Sequence, residues 1–172
     1  MREDKRLQWA DKITLDRINT AHPKVRAELL EQYLTINTAL PKGCRLRFAY
    51  VYRSNKEQDE LFNKRPKVTN AKGGQSIHNY GLAFDIVLLY DLDGNGSFET
   101  ASWDEKKDLD KLDGPEWMQV VNFFKTKGWA WGGDWKSFRD SPHFEKTFGN
   151  TWRTLQGKTK KRDSNGIDYV VL

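Results

Sequence analysis

The stretch Ser76-Ile77-His78-Asn79-Tyr80-Gly81-Leu82-Ala83-Phe84-Asp85-Ile86-Val87-Leu88-Leu89-Tyr90 decides how the chain is read. From Leu82 to Tyr90 it is apolar almost throughout, the pattern of a strand covered on both faces and therefore central in a sheet. One carboxylate, Asp85, interrupts the run. A carboxylate among Phe84, Ile86, Val87 and Leu88 is costly unless it is paired or bound to a metal. Gly73-Gly74 lead into a loop that carries His78, and Gly81 permits close backbone approach. Alone, the pair reads equally well as a surface histidine beside a solvated edge-strand aspartate.

The second segment, Asp140-Ser141-Pro142-His143-Phe144-Glu145, changes that balance. The chain has only three histidines, and two of them sit in these segments, each near a carboxylate. Two imidazoles and one carboxylate form a common ligand set for a catalytic zinc, which keeps its fourth position open to water. Asp140, three residues before His143, can then reach the bound water rather than the ion. Glu145 is the competing base, because it shares the His143 face of a strand by period-two alternation. Equally, Glu145 can accept a hydrogen bond from the His143 ring and orient it. The third histidine, in His22-Pro23, reads as a helix-start cap. The outline is that of a metal hydrolase.

Around these segments the chain predicts an α+β fold with a small, mostly antiparallel sheet flanked by helices. Leu7 to Leu40 reads helical. Thr14 is expected to cap a first helix, and Pro23 to open a second whose core face is Val25, Leu29, Leu30, Tyr33, Leu34 and Ile36. Pro41-Lys42-Gly43 stops that helix, Leu46 to Val51 reads as a strand, and Lys56 to Lys64 as a short helix capped by Ser54 or Asn55. Val68 to Gln75 is a loop. Pro115 to Lys127 is a helix with Trp117, Val120, Val121 and Phe124 inward, stopped by Gly128. Trp129-Ala130-Trp131 and His143-Phe144-Glu145 read as strands, and Ile167 to Leu172 as a last one. No internal repeat is present. Residues 1–172 are expected to form a single domain, with an acidic insertion at 91–113 and a basic C-terminal tail at 156–172, loop-like from Gln156 to Asn165.

Composition bounds the function. With 37% hydrophobic residues, 13% aromatic and seven tryptophans among 172 residues, the chain has the means for a real core. A formal charge of +5 favours acidic partners, among them anionic wall polymer. No basic patch interleaved with aromatics reads as a nucleic-acid motif. Cys44 is the only cysteine, which excludes an intrachain disulfide and a cysteine-rich zinc site. The opening Met1-Arg2-Glu3-Asp4-Lys5-Arg6 has no apolar region behind it, so neither a signal peptide nor a membrane span is expected. That predicts a monomer made in the cytoplasm that acts elsewhere only after release.

The insertion carries a separate signal in Asp91-Leu92-Asp93-Gly94-Asn95-Gly96-Ser97-Phe98-Glu99. Oxygen ligands at positions one, three and five, followed by glycine at six, match the start of a calcium loop. Position twelve is Ser102, where the pattern needs a bidentate glutamate; Glu99, Asp104 or Glu105 are the substitutes. The alternative is an acidic turn in which Asn95-Gly96 makes a tight hairpin.

The pattern Ser76-x-His78-x-x-Gly81-x-Ala83-x-Asp85, with the later His143 segment, resembles the zinc D-alanyl-D-alanine carboxypeptidase and L-alanyl-D-glutamate endopeptidase family. The resemblance runs from about Thr14 to Phe148. It implies a fold shared with the hedgehog signalling domain and a substrate in peptidoglycan stem peptides. It also implies zinc held by His78, Asp85 and His143, and Asp140 as the catalytic base. Arg53, in Tyr52-Arg53-Ser54-x-x-x-Gln58, matches an arginine that binds and polarises substrate, and Ser76 matches a serine lining the same site. The run from Trp131 to Phe144, with Pro142 before the last histidine, is similar to the L-alanyl-D-glutamate branch that includes phage endolysins. The alternatives are a D-alanyl-D-alanine carboxypeptidase and a non-catalytic hedgehog-type wall-binding module. For Arg53 the bland reading is a surface salt bridge with Glu57 at helical spacing.

Overall fold

The central strand foreseen from the apolar run is β2, Ala83–Tyr90, in a computed structural model that describes residues 4–172. β1 (Cys44–Tyr50) pairs antiparallel with it along one side. The other side is shared. β3 (Thr100–Ser102) takes the Leu88–Tyr90 end, and β5 (His143–Glu145) takes the Ala83–Asp85 end, with β4 (Ala130–Trp131) beyond. The fold is therefore α+β, with an antiparallel sheet as expected. Asp85 lies on the central strand, which disposes of the edge-strand reading.

Period-two alternation sorts the two faces of β2 and β5. Phe84 and Phe144 point into the core and stack on each other at 5.1 Å, while Phe48 stacks on Phe84 at 4.4 Å and Phe124 meets it edge-on. Each of these rings is fully buried. Emptying one such position costs about 3–5 kcal/mol, so this cluster anchors the sheet that carries the site. Asp85, His143 and Glu145 necessarily take the opposite face.

Helices cover the core. In α4 (Glu116–Thr126), Trp117, Val120, Val121 and Phe124 are all buried, the i, i+3, i+4, i+7 stripe of an amphipathic helix. In α2 (Pro23–Ala39), Val25, Leu29, Tyr33, Leu34 and Ile36 are buried and Leu30 is partly so. Pro23 occupies the first turn, where its missing N–H costs nothing. His22 caps that helix: its Nδ1 accepts from the Lys24 N–H, so Nε2 is the protonated nitrogen and donates to the Val170 carbonyl at 2.8 Å. His22 is thus committed to structure, as expected.

Three expectations need correction. The cap of α1 (Lys12–Ile18) is Asp11, not Thr14: the Asp11 carboxylate accepts the Thr14 N–H and hydroxyl at 3.0 and 2.7 Å. Thr14, one turn in, uses its hydroxyl to accept the Phe48 N–H. The acidic insertion contains β3, three residues too short and too mixed to show a period. The segment from Gln156 to Asn165 is not loop throughout: after α5 (Trp152–Gln156) it supplies β6 (Lys160–Arg162), which pairs with β7 (Asp168–Val170), the last strand expected. β6 reads Lys-Lys-Arg, all exposed, so its strand state comes from pairing with β7 and leaves no hydrophobic trace in the sequence.

Candidate active site and metal centre

The β2–β5 register sets Asp85 directly opposite His143. Directly opposed residues on one face hold their side chains within contact. Asp85 Oδ1 accordingly lies 3.1 Å from His143 Nδ1, and 3.1 Å from His78 Nε2. On the other flank β1 carries an irregularity between Phe48 and Tyr50 and pairs Tyr50 with Asp85. Such bulges re-aim a strand at its end.

His78 arrives on a 3-10 turn, Ile77–Tyr80, capped at Ser76. The Ser76 hydroxyl accepts the His78 N–H, and the Asn79 side chain accepts the Ser76 N–H in return. Gly81 ends the turn at φ +66°, with His22 N so close that a side chain has no room. Ser76, foreseen as lining the site, does line the cleft, and its hydroxyl also caps the turn that presents His78.

Both imidazoles are fixed from behind. His78 Nδ1 donates to the Val51 carbonyl at 2.8 Å, which leaves the Nε2 lone pair facing Asp85. Glu145 Oε2 lies 3.1 Å from His143 Nε2, so Nδ1 is the nitrogen facing inward. One ligand atom from each of His78, Asp85 and His143 lies within 4.8 Å of the others. The residues fit a divalent ion: two ring nitrogens and a carboxylate oxygen converge, and each ring N–H away from the centre is held by an acceptor. Of the two roles left open for Glu145, the geometry supplies the orienting one.

The electrostatics follow from burial and neighbours. Burial pushes Asp85 up, but the two histidines outweigh it and hold its carboxyl far below the usual range. For His143 burial opposes charge, yet Asp85 and Glu145 raise the ring to about 9. Asp140 moves the other way: burial and then the nearby Asp85 charge push its carboxyl above the ordinary value. Two carboxylates in one cleft thus have their proton affinities driven apart.

Asp140 is placed by backbone. Its N–H donates to the Gly132 carbonyl, and its carbonyl accepts the His143 N–H. Gly132 is required there, since a Cβ would overlap the Asp140 carbonyl oxygen. The Asp140 carboxylate accepts no hydrogen bond among the described residues and lines the cleft beside His143.

Arg53 lies in the same cleft, a cavity of about 730 Å³. Its Nη1 donates to Gln58 at 2.9 Å, its guanidinium lies 4.7 Å over the Tyr50 ring, and Nη2 is 3.9 Å from Asp85 Oδ2. Its buried Nε has no hydrogen-bond partner among the described residues. The salt bridge with Glu57 does not form: in α3 (Asn55–Asn63) Glu57 bonds the Ser54 N–H and hydroxyl in a capping box.

Some residues escaped the sequence reading. Gln58 is fully buried and ties Arg53 to the cleft wall by donating to the Ala71 carbonyl at 2.8 Å. The only trace was its place in the Arg53-Ser54-x-x-x-Gln58 run. Trp135, with its ring 5.2 Å from that of His143, and the exposed Phe138 form another wall.

The acidic loop lies at the other end of β2. Asp91 follows Tyr90, six residues beyond Asp85, which along a strand is about 20 Å. The Asp91 carboxylate accepts the N–H groups of Asn95 and Gly96, and Asp93 accepts from the Asn95 backbone and side chain. Asp91, Asp93 and Asn95 are therefore tied together by hydrogen bonds within the turn. Of the substitutes for the closing ligand, Glu105 is engaged elsewhere, by Arg139 at 2.6 and 2.8 Å.

Residues 69–146, which include Ser76, His78, Asp85, Asp140 and His143, match the model of the D-alanyl-D-alanine carboxypeptidase family. The chain is 44% identical over 112 residues to the peptidoglycan L-alanyl-D-glutamate endopeptidase CwlK of Bacillus subtilis (strain 168), a match covering 62% of this chain and 64% of the relative. The chain thus spans just under two thirds of that relative's length. The crystal structure of the Serratia marcescens L-Ala D-Glu endopeptidase ChiX superposes with a TM-score of 0.54 at 20% identity, covering 80% of this chain and 88% of that one. At that identity the likeness is one of fold. Among the described residues no helix is long and apolar enough to cross a membrane.

Proposed function

We propose that the protein is a zinc-dependent peptidase that cuts peptidoglycan stem peptides at the L-alanyl-D-glutamate bond. The observation that carries this reading is the convergence of His78, Asp85 and His143 in a cleft that also holds Asp140. A wall-binding module with a structural ion has no use for a half-buried carboxylate beside the ligand set. The bond follows from the likeness to CwlK.

His78 through Nε2, His143 through Nδ1 and Asp85 would hold the zinc. When bound, zinc supplies Lewis acidity and a water whose proton is lost near neutral pH. Asp140, its carboxyl raised by burial and by Asp85, takes a proton from the attacking water and returns it to the leaving amine. Arg53, held by Gln58 and stacked over Tyr50, offers the rest of its planar fork to a substrate carboxylate or to the developing oxyanion. Trp135 and Phe138 line one side of the cleft and offer it apolar surface. Calcium in the Asp91–Asn95 loop is a further part of this proposal, as a stabiliser remote from the chemistry.

The description of the matching family favours a second reading, a D-alanyl-D-alanine carboxypeptidase. Digestion of purified peptidoglycan, with mass spectrometry of the new termini, separates the two. The expected product carries new D-glutamate (or D-isoglutamine) amino termini. Release of free D-alanine alone would refute the endopeptidase.

A further inference from the structure

Glu105 belongs to the acidic insertion, which leaves β2 at the end of the sheet away from the cleft. The insertion nevertheless returns to the loop that carries Asp140. Arg139 donates to the Glu105 carboxylate from Nη1 at 2.8 Å and from Nη2 at 2.6 Å, across 34 residues of chain. Arg139 immediately precedes Asp140. Its guanidinium also lies 5.6 Å over the Trp131 ring, and the Trp131 indole N–H donates to the Ser141 carbonyl at 2.6 Å. The residues on both sides of Asp140 are thus tied to elements outside their own loop. A two-pronged charged contact fixes orientation as well as distance. The Asp140 carboxylate accepts no hydrogen bond among the described residues, so the frame of its loop sets its aim.

We propose that Glu105 is a positioning residue for Asp140: through its fork with Arg139, the acidic insertion holds the loop that points the carboxylate into the cleft. The inference rests on Asp140 being the base. The Glu105 and Arg139 side chains are 26% and 51% exposed, and pairs of that kind add little to global stability. Their effect is on placement, where a shift of about 1 Å at a reacting group costs on the order of a hundredfold in rate.

Steady-state kinetics on a defined stem peptide test this, with zinc content and Tm measured on the same preparations. Glu105→Gln keeps the shape and removes the charged fork; kcat is expected to fall on the order of tenfold at unchanged KM, zinc content and Tm. The reversed pair, Glu105→Arg with Arg139→Glu, is expected to recover kcat to within about threefold of wild type, while each single reversal stays impaired. Asp140→Asn, run alongside, should be inactive. With Asp140→Asn inactive, wild-type kcat in Glu105→Gln overturns the proposal, and so does a loss that tracks a lowered Tm and is not recovered by the reversal. An active Asp140→Asn brings down the assignment of the base, and the proposal with it.

Discussion

Asp140 and Glu145 are both carboxylates beside His143, and what each one touches separates their roles. Glu145 faces His143 Nε2 at 3.1 Å, while the Asp140 carboxylate accepts no hydrogen bond among the described residues and has its proton affinity raised. Asp140→Asn should therefore keep zinc and melting temperature and lose on the order of a hundredfold or more in kcat. Glu145→Gln should weaken zinc binding roughly 10- to 100-fold, as the loss of an orienting partner does, and recover much of its rate with added zinc. Zinc titration and kinetics on the two variants check this, and a reversed pattern would exchange the roles. Sequence alone left the two carboxylates level, because strand alternation fixes a face and says nothing about which acceptor a ring nitrogen meets.

At the scale of elements, the order of legibility follows from where the stabilising contacts lie. β2, α2 and α4 announce themselves because their burial is written in their own residues, as eight apolar positions out of the nine from Leu82 to Tyr90 or as a helical stripe. β3 and β6 are held by pairing with β2 and β7, and Thr100–Ser102 or Lys160–Arg162 contain nothing that names those partners. The convergence of His78, Asp85 and His143 was legible because two histidines out of three fell beside carboxylates. Gln58 and Glu105 were not, since their function is to hold another side chain. The acidic loop sits between β2 and β3, and its calcium reading predicts weak binding, with Kd on the order of 10⁻⁴ M for want of a closing glutamate. Millimolar calcium should raise the Tm of zinc-loaded wild type and leave the Asp91→Ala/Asp93→Ala variant unmoved. Identical melting of wild type with and without calcium would leave the loop as a hydrogen-bonded turn.

For the molecule as a whole, Asp11 is one of the groups through which acid acts on stability. Its carboxylate caps α1, binds Arg47 of β1 at 2.8 and 3.0 Å, and sits where its own N–H donates to the Tyr33 hydroxyl of α2. Burial pushes its carboxyl up, but Arg47 and Thr14 more than offset this and leave it below the ordinary value. A lowered folded-state pKa gives stability that is complete above the unfolded pKa, near 4, and is lost as pH falls through the folded one. Asp11→Asn should therefore cost about 2 kcal/mol near neutral pH and flatten the decline of stability below pH 4, as urea unfolding across pH reads directly. An unchanged acid limb would move that role to another carboxylate.

The pairing of Asp85 with His143 also governs how the molecule can go wrong. Side chains alternate across a strand, so a slip of one residue between β2 and β5 would turn His143 into the core and Phe144 out toward the cleft. The same slip unstacks Phe84 from Phe144 and strands an imidazole among aromatic rings. Ligand geometry and core packing fail together, so a misregistered copy can neither persist as a stable decoy nor hold a stray reactive ion. Accuracy of assembly and competence for chemistry are, at this one ladder position, the same event.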